Sequence, residues 1–304
     1  MSLAPASPYL APLRKDYAID GGALSAVHFG DSAAPLRLVF LHANGFNALS
    51  YRAMLQPLGV HALAVDLRGH GFTRLPADPK ALDNWHIFKR DITAFFKRYV
   101  DRPVLLAGHS LGAVNAILAA EELGPKCAGY IGFDPVILPQ PFRALSATAR
   151  GRNIIKKRLP IAAKAGRRRA DFDSLEAAFS NYKGRAAFKS VPDDILRDYL
   201  EGGLRETPNG VRLACDPLWE QAIFCAQNQN TLKAARHLPK LSKIIFAGVH
   251  SPTPFSVQAR MKSRLGRGAV ISSNKLDHLF PLQNPEFAAG IIKEMLSKTP
   301  PEAP

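Results

Sequence analysis

A serine between two glycines is the residue in this sequence that most directly predicts chemistry. Gly108-His109-Ser110-Leu111-Gly112 follows a predicted buried strand and opens a predicted helix. A serine in that context occupies a tight turn that lifts its hydroxyl clear of the sheet, and side chains at positions 108 and 112 would collide with the backbone. We therefore expect Ser110 to act as a nucleophile in acyl transfer, with the backbone N–H of Leu111 as one oxyanion donor.

A second motif predicts the other oxyanion donor. His42-Ala43-Asn44-Gly45-Phe46 follows the predicted strand Leu36–Leu41. Acyl transfer needs two donors aimed at the developing oxyanion. Asn44 could contribute its backbone N–H and, in addition, its side-chain amide. The alternative is that His42 and Asn44 only stabilise a glycine turn.

The general base must be chosen among nine histidines. His278 lies between the predicted last strand and last helix, in the segment Asp277-His278-Leu279-Phe280-Pro281. An imidazole can take the proton of a serine and return it to a leaving group. His250 is a rival because it follows a predicted strand, whereas the other histidines are predicted to be structural.

Alternating strands and helices must position these motifs. Continuous apolar runs separated by helical patterns predict a parallel sheet that is buried on both faces, hence a doubly wound α/β fold. The predicted strands are Asp16–Ile19, Leu24–Phe29, Leu36–Leu41, His61–Leu67, Pro103–Gly108, Gly129–Phe133, Lys243–Val249 and Ala269–Ser272. The predicted helices are Ser50–Leu58, Ala81–Tyr99, Leu111–Leu123, Ser174–Tyr182, Asp193–Gly202, Pro217–Asn228 and Pro285–Lys298.

The middle of the chain interrupts this alternation. Strand-like runs are missing and short helical segments follow one another, so residues 139–231 are predicted to form an inserted helical cap. Residues 1–138 and 232–304 would then form the core. Five large side chains of the cap are candidates either for lining a cavity or for the core: Phe179, Tyr182, Leu218, Trp219 and Phe224.

The ordered set of motifs resembles the α/β-hydrolase superfamily. The set includes the 42–46 loop, then Asp66-Leu67-Arg68-Gly69-His70-Gly71, then the serine turn, then the late His278 segment. It is similar in particular to the capped esterase, epoxide-hydrolase and haloalkane-dehalogenase branch. The resemblance implies a Ser–acid–His triad, a helical lid, and a pocket between the lid and the sheet. The dehalogenases and epoxide hydrolases place an aspartate at the elbow, so Ser110 argues against both of those activities.

The acid of the implied triad departs from the commonest pattern of the family. The usual position follows the strand Lys243–Val249, where this chain has His250-Ser251-Pro252 and no carboxylate. The alternative family position is the end of the strand after the elbow helix, and Asp134 stands there. We therefore favour Asp134 as the acid that orients the histidine, against the alternative of a structural Asp-Pro turn. Asp277 is next to the histidine and would have to fold back onto it.

Composition limits the classes of protein that remain. A hydrophobic content of 47% and a charged content of 21% predict a packed interior. No apolar run approaches the roughly 20 residues that cross a bilayer, and the first 15 residues show no secretory signal. The three cysteines lack metal-ligand spacing, which suits a reduced cytoplasmic protein. We expect no metal and no organic cofactor.

The formal charge of +15 is concentrated in one stretch. Between Arg143 and Arg169 there are ten Lys and Arg residues and no Asp or Glu. Nucleic acid, an anionic membrane or an acidic substrate could bind there, but a solvated basic face with nonspecific anion binding is the favoured interpretation. No specific nucleic acid is expected, because aromatic residues do not alternate with the basic ones. The sequence indicates no oligomeric state.

The favoured function is a serine hydrolase that cleaves a small carboxylic ester or thioester. The same triad would also serve an acyltransferase, a perhydrolase or an enzyme that cleaves a carbon–carbon bond next to a ketone. A non-catalytic binding protein on a hydrolase scaffold, with the basic cap as its interface, stays open. A lipase acting at lipid surfaces is less favoured, because apolar residues such as Ile154, Ile155 and Leu159 are few in the basic stretch.

Overall fold

An eight-stranded sheet forms the centre of the computed structural model, which describes residues 11–299. The strands of the chain are β1 (Leu13–Ile19), β2 (Gly22–Phe29), β3 (Leu36–Leu41), β4 (His61–Asp66), β5 (Val104–His109), β6 (Cys127–Phe133), β7 (Asp171–Phe172), β8 (Leu204–Thr207), β9 (Gly210–Leu213), β10 (Ser242–Phe246) and β11 (Val270–Ser272). The large sheet has the order β1-β2-β4-β3-β5-β6-β10-β11. β2 pairs antiparallel with β1 and with β4, and every pairing from β4 to β11 is parallel. The predicted α/β architecture with a mostly parallel sheet is confirmed.

Helices pack on both faces of this sheet, and others lie in the segment between β6 and β10. They are α1 (Arg52–Leu55), α2 (His86–Tyr99), α3 (Leu111–Leu123), α4 (Gln140–Ser146), α5 (Ala149–Arg158), α6 (Pro160–Ala165), α7 (Leu175–Tyr182), α8 (Asp193–Gly203), α9 (Pro217–Cys225), α10 (Thr231–Ala234), α11 (Phe255–Leu265), α12 (Phe280–Gln283) and α13 (Pro285–Ser297). Strand β3 shows why two layers form. Its side chains alternate, so Val39 and Leu41 join the apolar cluster with α2, α3 and α11, while Leu38 and Phe40 join the cluster with α1 and α13.

The segment between β6 and β10 contains a feature that the sequence analysis does not anticipate. Besides helices α4 to α10, it holds a small antiparallel sheet in the order β7-β9-β8. The β8–β9 hairpin has a sequence signal in Asn209-Gly210, a pair typical of tight hairpin turns. Gly210 has a φ of +126° and lies so close to β7 that a Cβ would stand 2.3 Å from the carbonyl oxygen of Phe172.

Two predicted boundaries are wrong because a local turn limits each element. The helix predicted from Ala81 begins at His86, whose N–H donates to Oδ1 of Asn84 at 2.8 Å in a tight turn. The strand predicted to reach Val249 ends at Phe246, and Gly248, with a φ of +57°, starts a short 3₁₀ turn. Among the helices of residues 11–299, none combines the length and the apolar character that crossing a bilayer requires.

Candidate active site

Ser110 lies in the turn between β5 and α3, in a strained backbone conformation. Its φ is 53° and its ψ is −112°, a region that costs about 1–3 kcal/mol for a residue with a side chain. The turn is held by backbone hydrogen bonds, because the N–H of Ser110 donates to the carbonyl of Phe133 at 3.0 Å and the N–H of Gly112 donates to that of His42 at 3.1 Å. These contacts fix the hydroxyl above the carboxyl ends of β5 and β6.

The two glycines of the turn leave room for neighbouring backbone. A Cβ at Gly112 would stand 2.1 Å from the carbonyl oxygen of Leu41, at the end of β3. A Cβ at Gly108 would stand 2.6 Å from the backbone nitrogen of Ala113. Backbone atoms cannot move aside as a flexible side chain can, so the collision expected from the sequence is present at both positions.

We expect Gly112→Ala to lower the free energy of unfolding by about 3 kcal/mol or more, because β3 and α3 would have to separate. Gly290→Ala is the matched control. Gly290 is an exposed residue of α13 where a Cβ would meet no atom within 4 Å, and alanine favours a helix by about 1 kcal/mol. Urea denaturation measures both variants, and equal stability of the two would contradict the close approach at Gly112.

Three predicted residues meet at the elbow. His278, on the loop between β11 and α12, places its Nε2 3.0 Å from Oγ of Ser110. Its Nδ1 lies 2.6 Å from Oδ2 of Asp134. The aspartate side chain is fully buried and that of the histidine is 26% exposed. The arrangement has the order hydroxyl, imidazole and carboxylate that general-base activation of a serine requires.

Asp134 is held by the segment that follows β10, where the commonest family pattern would place the acid and this chain has no carboxylate. Its Oδ1 accepts hydrogen bonds from the hydroxyl of Ser251 at 2.6 Å and from the backbone N–H of Ala247 at 3.1 Å. Its Oδ2 is therefore left to His278, and a buried charge with three donors is well compensated. Asp134 itself has a φ of 42°, which turns its side chain at the end of β6 toward the histidine. Sequence reasoning did not identify Ser251 as a partner.

The two rival residues lie elsewhere. His250 is exposed in the turn after β10 and forms no contact with Ser110 in the part of the chain that the structure describes. Asp277 accepts hydrogen bonds from the N–H of Leu279 and from the side chain of Gln283, both at 2.7 Å. Its carboxylate thus faces the beginning of α12 and not the imidazole of its neighbour.

The predicted oxyanion donors have free backbone N–H groups. Within residues 11–299, no group accepts a hydrogen bond from the backbone N–H of Asn44 or of Leu111. The side-chain amide of Asn44 was also a candidate donor, but one of its N–H groups donates to the carbonyl of Glu220 at 3.1 Å. The backbone N–H of Asn44 is therefore fully available to a ligand, whereas one of the two N–H donors of its side-chain amide is already used.

His42 and His70 brace the loop that carries Asn44. The Nε2 of His42 accepts from the N–H of Leu67 at 2.8 Å, and the Nε2 of His70 accepts from the N–H of Gly45 at 3.0 Å. Burial lowers the pKa of His42 to about 4 and that of His70 to about 3. Both imidazoles are thus neutral acceptors that stabilise the glycine turn, which was the structural alternative for His42.

A chain of buried hydrogen bonds connects the 42–46 loop to the backbone of His278. The N–H of Ala43 donates to the hydroxyl of Tyr51 at 3.2 Å, the hydroxyl lies 2.7 Å from Nδ1 of His109, and Nε2 of His109 lies 2.7 Å from the carbonyl oxygen of His278. Burial holds the pKa of His109 well below its usual value, so the ring is neutral. Its Nε2 must then donate to the carbonyl, and Tyr51 must donate to Nδ1.

We expect Tyr51→Phe to lower the free energy of unfolding by about 1–3 kcal/mol, because it leaves the buried Nδ1 of His109 and N–H of Ala43 without partners. Tyr99→Phe is the control, since it removes one hydrogen bond to the carbonyl of Ala18 at the surface. Denaturation in urea should show a clearly larger loss for Tyr51→Phe. Equal losses would mean that the chain of hydrogen bonds does not stabilise this region.

A cavity of about 430 Å³ opens above Ser110 and His278. Its lining is mainly apolar, and the apolar side chains are Ala43, Phe46, Ile161, Ala165, Ala186, Ala187, Phe188, Phe224 and Leu279. Of the five cap candidates, Tyr182 and Phe224 line this cavity, Leu218 is exposed, and Phe179 and Trp219 are buried in the core. Residues from distant parts of the chain form the wall, which is why the sequence did not separate lining from core.

A group of paired polar side chains forms part of the wall. Arg168 forms a salt bridge with Glu220, and its guanidinium donates to the hydroxyls of Tyr199 at 2.6 Å and Tyr182 at 3.2 Å. The charges of Arg168 and Glu220 cancel within the wall, whereas Lys164, which is exposed and also lines the cavity, forms no salt bridge within residues 11–299. Within residues 11–299, no three His, Cys, Asp or Glu side chains form a group that could hold a metal ion.

Solved structures with a similar fold include several enzymes. The E-2-(acetamidomethylene)succinate hydrolase superposes with a TM-score of 0.72 at 18% identity, covering 94% of this chain and 100% of the other. The thioesterase domain from the curacin biosynthetic pathway superposes with a TM-score of 0.71 at 17% identity, covering 93% and 99%. At these identities the likeness shows the fold alone.

Curated relatives match by sequence over a shorter region. The chain is 29% identical over 149 residues to the monoglyceride lipase of Homo sapiens, covering 46% of this chain and 48% of that protein. It is 32% identical over 120 residues to an esterase of Mycobacterium tuberculosis, covering 40% and 39%. The chain thus matches about half or less of the length of these relatives. The model of the alpha/beta hydrolase family matches residues 38–290, which is most of the sequence. The chain therefore belongs to the alpha/beta hydrolase family.

Proposed function

We propose that this protein is a serine hydrolase that cleaves a small carboxylic ester or thioester through an acyl-enzyme on Ser110. One observation carries the proposal: His278 lies within hydrogen-bond distance of both Ser110, at 3.0 Å, and the buried Asp134, at 2.6 Å. A hydroxyl, a base and a base-orienting carboxylate in this geometry are the parts that acyl transfer through a serine needs.

In the first half of the proposed reaction, Oγ of Ser110 attacks the carbonyl carbon while Nε2 of His278 takes the hydroxyl proton. The Nδ1–H of the imidazolium donates to Asp134, which stabilises the cation. The backbone N–H groups of Leu111 and Asn44 stabilise the oxyanion of the tetrahedral intermediate. When the intermediate collapses, the proton on Nε2 passes to the departing alcohol or thiol, and the acyl group stays on Ser110.

In the second half, water attacks the acyl-enzyme. His278 takes one proton from the water, the oxyanion forms again between the same two N–H groups, and the proton returns to Oγ of Ser110 as the carboxylic acid leaves. All bonds made to the enzyme in the first half are broken in the second. The cycle uses no group beyond those of the elbow, the 42–46 loop and the histidine loop.

The cavity supports a substrate with an apolar acyl group. Its volume of about 430 Å³ is within the range of small-molecule sites, and most of its lining is hydrocarbon. Arg168 and Glu220 neutralise each other in the wall, and the exposed Lys164 adds one positive charge to the lining. The sequence likeness to a monoglyceride lipase and an esterase, both named for ester cleavage, supports the same bond type.

Residues 139–231 are proposed to act as the cap of this site. Ile161, Phe188 and Phe224 come from three different parts of that segment and all line the cavity above Ser110. A cap in this position would exclude water from the acyl group and set the length of chain that fits.

The test of the proposed function combines covalent labelling with a substrate panel. A fluorophosphonate should label the protein once, and peptide mapping should place the label on Ser110. The panel consists of p-nitrophenyl esters and thioesters of increasing acyl length, with methanol and hydrogen peroxide as competing nucleophiles. Hydrolysis products alone support a hydrolase, while methyl ester or peracid as the main product would assign acyl transfer or perhydrolysis. A protein that is neither labelled nor active would be the non-catalytic binding protein considered above.

A further inference from the structure

A second cavity, of about 520 Å³, lies apart from the one above Ser110 and has a strongly basic wall. It lies between α4, the short α10 segment and α11, and it shares no lining residue with the first cavity. Five cationic side chains line it: Arg143, Lys233, Arg236, Arg260 and Arg264. We call it the basic cavity.

No acidic side chain balances these cations. The other lining residues are neutral, and within residues 11–299 none of the five cations takes part in a salt bridge. Most of the basic stretch at Arg143–Arg169 faces solvent, but Arg143 joins cations from two other parts of the chain. Like charges held around one concave surface repel each other, and an anion between them relieves that repulsion.

Three of the guanidinium groups are anchored in place by backbone carbonyls. Arg264 donates to Leu232 at 2.8 Å, Arg236 donates to Lys233 at 3.1 Å, and Arg143 donates to Asn228 at 3.4 Å. Each of these bonds uses one nitrogen and leaves the rest of the guanidinium fork for a ligand. Partial anchoring lowers the side-chain entropy that binding would otherwise cost.

We propose that the basic cavity binds a small soluble anion that carries at least two adjacent phosphate groups. Five cations around one cavity match a ligand of several negative charges, and the planar guanidinium forks suit phosphate oxygens. The lining residues, all within the described range, include no aromatic side chain, so the stacking platforms that hold single-stranded nucleic acid are missing. A concave site walled by three segments also fits a compact ligand better than the flat contact of a duplex backbone.

Inorganic pyrophosphate is the probe for this proposal. Titration calorimetry of the full chain at a constant ionic strength of about 0.15 M should show one bound pyrophosphate. The affinity for orthophosphate should be lower than that for pyrophosphate by about tenfold or more. The double variant Lys233→Gln/Arg260→Gln should lower the affinity for pyrophosphate by about tenfold or more. Both residues are exposed and neither side chain forms a hydrogen bond within residues 11–299, so the fold should tolerate the change.

The matched control is Lys157→Gln/Arg158→Gln. It removes the same two charges from exposed positions of α5 that do not line the basic cavity. Affinity for pyrophosphate should stay within about twofold of the wild type. Thermal melting of both variants without ligand checks that each is folded, and added pyrophosphate should raise the melting temperature of the control but not of the cavity variant.

Four results would overturn the proposal. The first is no measurable binding of pyrophosphate, and the second is an equal loss in both double variants, which would indicate only the diffuse field of a +15 protein. The third is tighter binding of a DNA duplex than of pyrophosphate, lost in the cavity variant, which would assign the site to nucleic acid. The fourth is binding to vesicles with a bisphosphorylated inositol lipid that free pyrophosphate does not displace, which would assign it to a lipid headgroup.

Discussion

Ser110→Ala is expected to lower kcat for an activated ester by roughly 10⁴- to 10⁶-fold and to abolish labelling by a fluorophosphonate. The substitution removes the atom that would carry the acyl group, while the oxyanion donors and the cavity stay in place. Binding of substrate should therefore change little compared with kcat. A small residual rate over the uncatalysed reaction is expected, because the remaining N–H donors can still stabilise an oxyanion formed by attack of water.

Ser50→Ala is the control for this variant. Ser50 is fully buried, and its hydroxyl has no hydrogen-bond partner among the described residues, so the loss of that oxygen should leave activity unchanged. Ester turnover by Ser110→Ala at a rate near that of Ser50→Ala would show that another residue performs the reaction. A rate measurement with enzyme purified from an expression host that lacks its own esterases excludes contamination by a host esterase.

Asp134→Asn is expected to lower kcat by about 10⁴-fold with little change in substrate binding. The carbonyl of an asparagine could still accept from Ser251 and Ala247, as Oδ1 of the aspartate does. Its NH₂ group would then face Nδ1 of His278. An imidazole that accepts at Nδ1 must carry its proton on Nε2, and that tautomer cannot take the proton of Ser110.

Asp277→Asn removes the same charge one residue away from the histidine and is the matched control. The carboxylate of Asp277 is turned toward Leu279 and Gln283, so this variant should keep kcat within about threefold of the wild type. Measurement of kcat and KM for both variants with one ester separates the two carboxylates. If Asp277→Asn proved as damaging as Asp134→Asn, the hydrogen bond between Asp134 and His278 would not be the one that orients the imidazole.

The sequence alone was informative wherever a short segment must satisfy a local steric condition. A serine with positive φ between a strand and a helix needs small neighbours, so Gly108 and Gly112 mark the elbow without knowledge of the rest of the chain. Apolar runs of strand length also mark the parallel sheet, because a strand inside such a sheet is buried on both faces. The order of these motifs was sufficient to indicate the superfamily, which the match over residues 38–290 confirms.

Contacts between distant segments were less accessible to sequence reasoning. The choice of Asp134 rested on a family pattern, and the structure adds the physical basis: the residue lies 144 positions from His278 yet within 2.6 Å of it. The partners Ser251, Tyr51 and His109 have no spacing signal, since each contacts its neighbour across a different loop. Their hydrogen bonds depend on how the ends of β3, β5, β6 and β10 come together.

The elbow and the parallel sheet follow from the sequence alone, and so does the choice of candidate residues for acyl-transfer chemistry. Contacts between distant segments were needed to show which carboxylate meets the imidazole, that the backbone N–H of Asn44 has no partner within residues 11–299, and which side chains of residues 139–231 face the cavity. It also decided that Arg143 stands with four cations from residues 233–264. The physical reason is that backbone sterics act within a few residues, whereas burial, charge balance and hydrogen bonding depend on what the fold places nearby.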